Sequence, residues 1–175
     1  MQIEIIKGSE LPPEPIDFMN AQRIKEYGRN SKDFEKNENE SIFFFLKEND
    51  LIKAFGMLKP VELIHKNKSY SVLGLGNVIA VEKGRGYGSK LMKEINNYLV
   101  KNKIPAFANT HKDNFEFYRK NGYKVEKSLL ERIVEKSEKH KDYDWSEYSM
   151  IYFDPTHQLE ELVNGEGDVI IDALF

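Results

Sequence analysis

The sequence predicts a mixed α/β domain with a mostly antiparallel central sheet flanked by helices, and three observations predict it. Apolar, β-rich runs follow one another between residues 42 and 81, separated by short polar turns rather than by helices. A glycine loop, Lys83-Gly84-Arg85-Gly86-Tyr87-Gly88, then runs into an amphipathic segment of helical period. Beyond it, short strand-like and helix-like stretches alternate to the end. The 175 residues, 40% hydrophobic and 12% aromatic, are enough for one packed domain over residues 1–175.

The elements follow in order. Leu11-Pro12-Pro13-Glu14-Pro15 is a stiff lead-in, because proline fixes φ and cannot sit in a helix interior. Ile16 to Gly28 reads as a helix with Ile16, Met19, Arg23 and Tyr27 near one face and Gly28 as its stop. Asn30 to Ser41 is polar and reads as a loop. Ile42-Phe43-Phe44-Phe45-Leu46 is a buried strand, Glu48-Asn49-Asp50 a turn, and Leu51 to Leu58 the returning strand. Val61 to His65 is a further strand, and Tyr70 to Val81 a long one. Gly74 and Gly76 within it mark a bulge or a close backbone approach.

Leu91, Met92, Ile95, Tyr98 and Leu99 form one helical stripe. Residues 104–108 read as a strand, Asp113 to Asn121 as a short helix closed by Gly122, and residues 123–125 as the start of another strand. Leu129, Leu130, Ile133 and Val134 have helical spacing, and the charged run Glu135 to Asp142 reads as exposed. Tyr148 to Phe153 alternates as a strand. The rest is a tail with helical character at residues 159–162 and an apolar run at residues 169–171.

Composition excludes several classes. The absence of cysteine removes disulfide scaffolds, thiolate metal sites and a cysteine nucleophile. No HExxH or similar spacing is present, so no metal is expected. No apolar run approaches the roughly 20 residues that span a bilayer, and the first residues lack a secretory pattern, so a cytoplasmic protein without membrane contact is expected. The net charge of −3 hides an asymmetry. Nine acidic residues and no Lys or Arg lie from Asp142 onward, which leaves +6 on residues 1–141. The basic residues of that body are dispersed, which argues against nucleic acid as partner. A basic body and an acidic segment over about 142–175 fit two ligands of opposite charge, or else solvated surface.

The glycine loop carries the chemistry. Glycine permits a tight turn with amides facing inward, and the helix after it presents unpaired N–H groups and the positive end of its dipole. Such a unit cradles phosphate or pyrophosphate, and Lys83 and Arg85 add positive charge. It is neither a GxxxxGK[ST] loop nor a dinucleotide fingerprint, since no opening βαβ unit precedes it.

Some 26 residues later comes Asn114-Phe115-Glu116-Phe117-Tyr118-Arg119-Lys120-Asn121-Gly122-Tyr123. The pair resembles the GNAT superfamily of acyl-CoA-dependent N-acyltransferases. The loop pattern Arg/Gln-x-x-Gly-x-Gly/Ala appears as Lys83-x-x-Gly86-x-Gly88, and the later pattern as Asn114, Phe117-Tyr118, Lys120, Gly122 and Tyr123. The resemblance covers about residues 72–125. It implies a sheet splayed open where acetyl-CoA enters, with pyrophosphate held by the backbone of Lys83, Gly84, Arg85, Gly86, Tyr87, Gly88 and Ser89. It implies pantetheine bonded to the backbone of Val78, Ile79 and Ala80, a contact from Asn114 to the CoA arm, and Tyr118 as the acid that protonates the departing thiolate.

The stretches from Glu62 to Lys66, Val78 to Ala80, and Tyr152 through Gly167-Asp168-Val169 are also similar to aminoglycoside 2'-N-acetyltransferases, in which an acidic C-terminal segment helps hold a polycationic sugar. Carried over, Asp168 would contact the acceptor. Those enzymes place a carboxylate on the long strand, where this chain has Gly76, and they end just after Gly-Asp-Val, where this chain continues.

The resemblance thus implies an N-acetyltransferase acting on a small, cationic amine, aminoglycoside-like or polyamine-like, with room for a homodimer. The alternative of another class is a GNAT-fold module that binds acyl-CoA as a sensor without turnover. For the base, Glu62, Glu82, His65, His111 and tail carboxylates are the candidates.

Overall fold

The computed structural model describes residues 1–28, 38–137 and 144–172. Most of the expected loop at Asn30 to Ser41, and part of the charged run Glu135 to Asp142, lie outside the described residues. The chain forms two compact units: residues 1–59 with 75–95, and residues 60–74 with 96–175. Three elements run through both: strands β3 (Leu51–His65) and β4 (Lys68–Ala80) and helix α2 (Tyr87–Asn102).

In the first unit the sheet order is β1-β2-β3-β4, where β1 is Gln2–Lys7 and β2 is Ile42–Glu48. Strand β1 was not expected from the sequence. It pairs antiparallel along the whole of β2, from Gln2↔Lys47 to Lys7↔Ile42. The apolar run Phe43 to Leu46 is buried on both faces, so both sides of the sheet are covered. On one face Phe43, Phe45, Phe55, Met57 and Ile79 pack against Met19 of helix α1 (Pro13–Tyr27). On the other, Gly56 lies against Leu91 and Ile95 of α2, where an added Cβ would come within 3.4 Å of the Ile95 side chain. The apolar stripe of α2 is buried as its spacing requires, and each such side chain contributes about 1.5–3 kcal/mol.

Helix α1 starts three residues earlier than the prolines suggest. Pro13 and Pro15 sit in its first turn, where N–H groups have no helical acceptor to lose. Its C-cap is Gly28 at φ 81°, whose N–H donates to the Ile24 carbonyl at 2.8 Å.

The second unit has the order β4-β5-β8-β6, with β5 Ala106–His111, β8 Tyr148–Phe153 and β6 Lys124–Glu126. Strand β5 runs parallel to β4 over two residue pairs, Leu73↔Ala106 and Gly74↔Phe107, and antiparallel to β8 over six. The sheet is thus largely antiparallel, with helices packed on it.

Two expectations are corrected here. Leu51 to His65 is one strand, not two, with the exposed Pro60 inside it. The helical spacing at Leu129 to Val134 divides between helix α4 (Lys127–Glu131) and strand β7 (Ile133–Glu135). The apolar run of the tail is strand β9 (Val169–Ile171), which pairs with β3 on one side and β7 on the other. For β7, pairing with β9 outweighs a weak helical pattern of four residues. Helix α5 (Glu160–Asn164) precedes it, and Leu159, Leu162, Val163, Val169 and Ile171 complete the core of this unit with Leu63, Val72, Phe107 and Met150.

One buried ion pair stands out in the first unit. Arg23 of α1 is 1% exposed and Glu38 6%, and both guanidinium nitrogens donate to the Glu38 carboxylate at 3.2 Å. Removing one partner strands a buried charge. Arg23→Ala is expected to lower the unfolding free energy by about 3–5 kcal/mol. In urea titrations the pairwise replacement Arg23→Met with Glu38→Leu should recover most of that loss.

Candidate functional site

Among the described residues of the first unit β4 is the last strand, and from Leu75 to Ala80 one of its edges has no strand neighbour among them. Val78 and Ala80 are half-buried, and Ile79 points into the core with Met19 and Phe55. The backbone irregularity expected at the strand glycines falls on Asn77, at φ 52°. Asparagine tolerates the left-handed region better than most residues. Its side-chain amide donates to the Met57 sulfur at 3.5 Å, a contact that holds the turned-out residue in place.

A second N–H on that sulfur comes from the Arg23 guanidinium, at 4.0 Å. Gly76 lies directly over the same side chain, and a Cβ there would come within 3.0 Å of the Met57 methyl. The space beside Gly76 is therefore filled by a core methionine.

After Ala80 the chain is pinned once more, by the Val81 N–H on the Lys53 carbonyl at 2.9 Å, and then turns through the glycine loop. Gly84 and Gly86 adopt φ 78° and 76°, and the space beside each is open for at least 4 Å. The first helical bond of α2 runs from the Lys90 N–H to the Gly86 carbonyl at 3.1 Å. The amides of Tyr87 and Gly88 precede it and have no acceptor inside the helix. This is the geometry that an anion requires: a left-handed turn, open space and a helix start.

The loop is ringed by charges that sequence reasoning did not assign to it. Lys83 pairs with Glu26 of α1 at 2.5 Å. Glu82 pairs with Lys53 at 3.2 Å and Arg85 at 3.9 Å, which commits it to the loop's cations and removes it as a free base. The Tyr87 hydroxyl donates to Glu48 at 3.1 Å. Desolvation first, and that bond second, push its phenol above the usual range. The Lys53–Glu82, Tyr87–Glu48 and Lys83–Glu26 partners lie 29 to 57 residues apart in sequence, where no local pattern announces them, whereas Glu82 and Arg85 are an i,i+3 pair.

In the second unit the Asn114 motif forms a 3-10 turn at Lys112–Asn114 and helix α3 (Phe115–Lys120). Asn114 is exposed at the N-cap of α3, and its side chain caps nothing there, which leaves the amide for other work. Tyr118 is half-buried between Phe117 and Tyr123, with ring centroids 5.2 and 5.7 Å away. Its carbonyl accepts the N–H groups of Asn121 and Tyr123, both at 3.0 Å, so the motif's Gly122 turn fixes its backbone. Tyr123 is 3% exposed, and burial pushes its phenol far up.

The histidine candidates have structural work. His65 is buried, and its Nδ1 lies 2.9 Å from the Asp168 carbonyl, across the β3–β9 pairing. His111 caps the 3-10 turn, its Nδ1 accepting the Asp113 N–H at 3.4 Å. Glu62 is exposed.

The acidic segment is less available than its composition implies. Asp144 bonds the Ser146 N–H, Glu147 pairs with Lys112, and Asp154 accepts from Thr156 and Leu159. Glu160 meets His157, Asp172 meets Lys136, and Glu161 is held by Lys68 at 2.8 Å and the Tyr70 hydroxyl at 3.1 Å. The Lys68 and Tyr70 bonds hold the Glu161 carboxyl below its usual range. Among the described residues, Glu166 and Asp168 are the carboxylates of the segment that keep no partner; Asp142 lies outside them. Arg132 fastens the segment by donating to the Gly167, Val163 and Leu162 carbonyls at 2.8, 3.2 and 3.0 Å.

No three His, Asp or Glu side chains among the described residues are placed to hold a metal ion, and no described helix is long and apolar enough to cross a membrane.

No protein-family model and no curated protein matches the sequence. Solved structures match its fold. ElaA of Escherichia coli aligns with a TM-score of 0.61 at 13% identity, over 86% of this chain and 97% of that one. An acyl-CoA N-acyltransferase from Pseudomonas aeruginosa aligns at 0.59 and 10%, over 87% and 99%. An N-acetyltransferase from Staphylococcus aureus Mu50 aligns at 0.55 and 14%, over 89% and 99%. The fold is therefore that of the GNAT acyl-CoA N-acyltransferases, as the sequence resemblance implied.

The positive φ of Gly86 sets a test independent of any ligand. Gly86→Ala forces a Cβ into the left-handed region and should cost about 1–2 kcal/mol of stability by thermal or urea unfolding. Ser89→Ala, two residues into the helix, should cost less than that.

Proposed function

We propose that this chain is an acyl-CoA-dependent N-acetyltransferase. The observation that carries the reading is the run from the unpartnered edge of β4, through the left-handed Asn77, into an open glycine turn at the start of α2. That run offers extended backbone to an amide-bearing arm and a helix start to a pyrophosphate, in the order in which acetyl-CoA carries them. The fold shared with solved acyl-CoA N-acyltransferases supports it.

The roles follow from the chemistry. The backbone of Lys83 to Ser89 receives the pyrophosphate, and that of Val78, Ile79 and Ala80 the pantetheine arm. Asn114, with its amide uncommitted to capping, contacts the same arm. A neutral amine attacks the thioester carbonyl, the C–N bond forms, and the C–S bond breaks as the electron pair leaves on sulfur. A strand amide polarises the carbonyl as charge develops on its oxygen. Tyr118 donates its proton to the thiolate, which suits a phenol of pKa about 10, still protonated at neutral pH. The amine's proton leaves to solvent. With no cysteine in the chain, transfer is direct from CoA.

For the acceptor we propose a small cationic amine. Exposed Asp168 and Glu166 support this, while the six carboxylates already engaged reduce the pull that the segment's formal charge implied. The aminoglycoside resemblance rests on the sequence stretches alone.

One observation favours a second reading, the non-catalytic acyl-CoA sensor. Gly76 supplies no strand carboxylate, and Met57 fills the space beside it.

The two readings part in an assay that follows CoA thiol release over a panel of aminoglycosides, polyamines and simple amines. The enzyme reading expects turnover with at least one cationic amine, and Tyr118→Phe should lower kcat on the order of 10²-fold at unchanged acetyl-CoA affinity. Tight acetyl-CoA binding with no turnover across the panel favours the sensor. Full activity in Tyr118→Phe removes that residue as the acid.

A further inference from the structure

We propose that Glu26 is an internal counter-ion that competes with the phosphates of CoA for Lys83, and so sets the affinity of the loop. This deepens the CoA reading above and rests on it. Lys83 stands at the position where the loop pattern has Arg or Gln, and its ammonium lies 2.5 Å from the Glu26 carboxylate. The two side chains are unequally held: Lys83 is 73% exposed and Glu26 31%. The cation therefore has room to exchange partners.

The setting explains why Glu26 holds a cation at all. It lies in the last turn of α1, where the exposed carbonyls already make the negative end of the helix dipole. A carboxylate there is unfavourable on its own. Lys25 is the basic residue of the same turn, and Lys83 brings a second positive charge from the loop.

The other loop cations face a similar ring. Arg85 and Lys53 share Glu82, while Lys90 lies 5.9 Å from the Tyr87 ring centroid and 3.5 Å from the Met1 sulfur. Of these carboxylates, Glu26 is the one that reaches the loop from α1. Glu82 belongs to the loop's own approach, so it travels with its partners. A phosphate that takes Lys83 therefore displaces Glu26, and the exchange links cofactor binding to the end of α1.

A double-mutant cycle read by calorimetry with acetyl-CoA tests this on the full chain. Glu26→Gln should tighten binding about twofold to fivefold, the span of an exposed ion pair. Lys83→Gln should weaken it. In the Lys83→Gln background, Glu26→Gln should change nothing, because its effect runs through that lysine. Glu26→Ala repeats the test without a hydrogen-bonding side chain, and circular dichroism checks that each variant is folded.

An equal gain from Glu26→Gln in both backgrounds overturns the proposal, since the effect is then only the removal of one negative charge at a distance. No gain in either background also overturns it, while acetyl-CoA binding by the wild type leaves the CoA reading standing. Absence of acetyl-CoA binding by the wild type overturns both.

Discussion

The side chain of Met57 is the fixed point around which the first unit's half of β4 is arranged. Its methyl fills the space beside Gly76, and its sulfur takes the Asn77 amide and a guanidinium N–H of Arg23. Arg23 is in turn locked to Glu38, with both groups buried. Strand β4 must pass over this side chain without a Cβ and leave it through a left-handed residue. These constraints all meet at the one methionine. A larger residue at 76 or a shorter one at 57 changes all of them together, because interiors pack too densely to absorb a methylene.

The fold was legible where the signal is periodic or local. The stripe of α2, the run Phe43 to Leu46, the alternation of β8 and the glycine stop of α1 are read directly from residue spacing. Strand β1 was missed because Gln2 to Lys7 is short, lies next to a proline-rich lead-in and has no fully buried residue. Its strand character comes from six residue pairs with β2. Strands β7 and β9 were missed as well. Each is three residues long; β7 exists through β9, and β9 through both β7 and β3.

The candidate site divides along similar lines. The glycine loop and the Asn114-to-Tyr123 motif are contiguous patterns with a physical meaning, and both fold as turn-to-helix units. The bulge was assigned to glycines because glycine is the usual tolerant residue, yet it sits on Asn77, where a side-chain amide offsets the strain. The Lys83–Glu26 and Lys53–Glu82 pairs beside the loop join residues tens of positions apart and carry no local signature. The acidic segment shows the reverse error. Composition presents nine negative charges, but Lys68, Lys112, Lys136, His157 and local N–H groups take up most of those described. A formal charge count describes a binding surface only after the protein's own partners are subtracted.

Binding of acetyl-CoA by the glycine loop is the claim on which the functional reading stands. The most direct measurement is calorimetric titration of acetyl-CoA into the wild type and into Gly86→Asp, which puts both a side chain and a negative charge into the open turn. Saturable binding by the wild type, lost in a folded Gly86→Asp variant, is the predicted result. Equal affinity in the two proteins would contradict the assignment of the loop as the phosphate site.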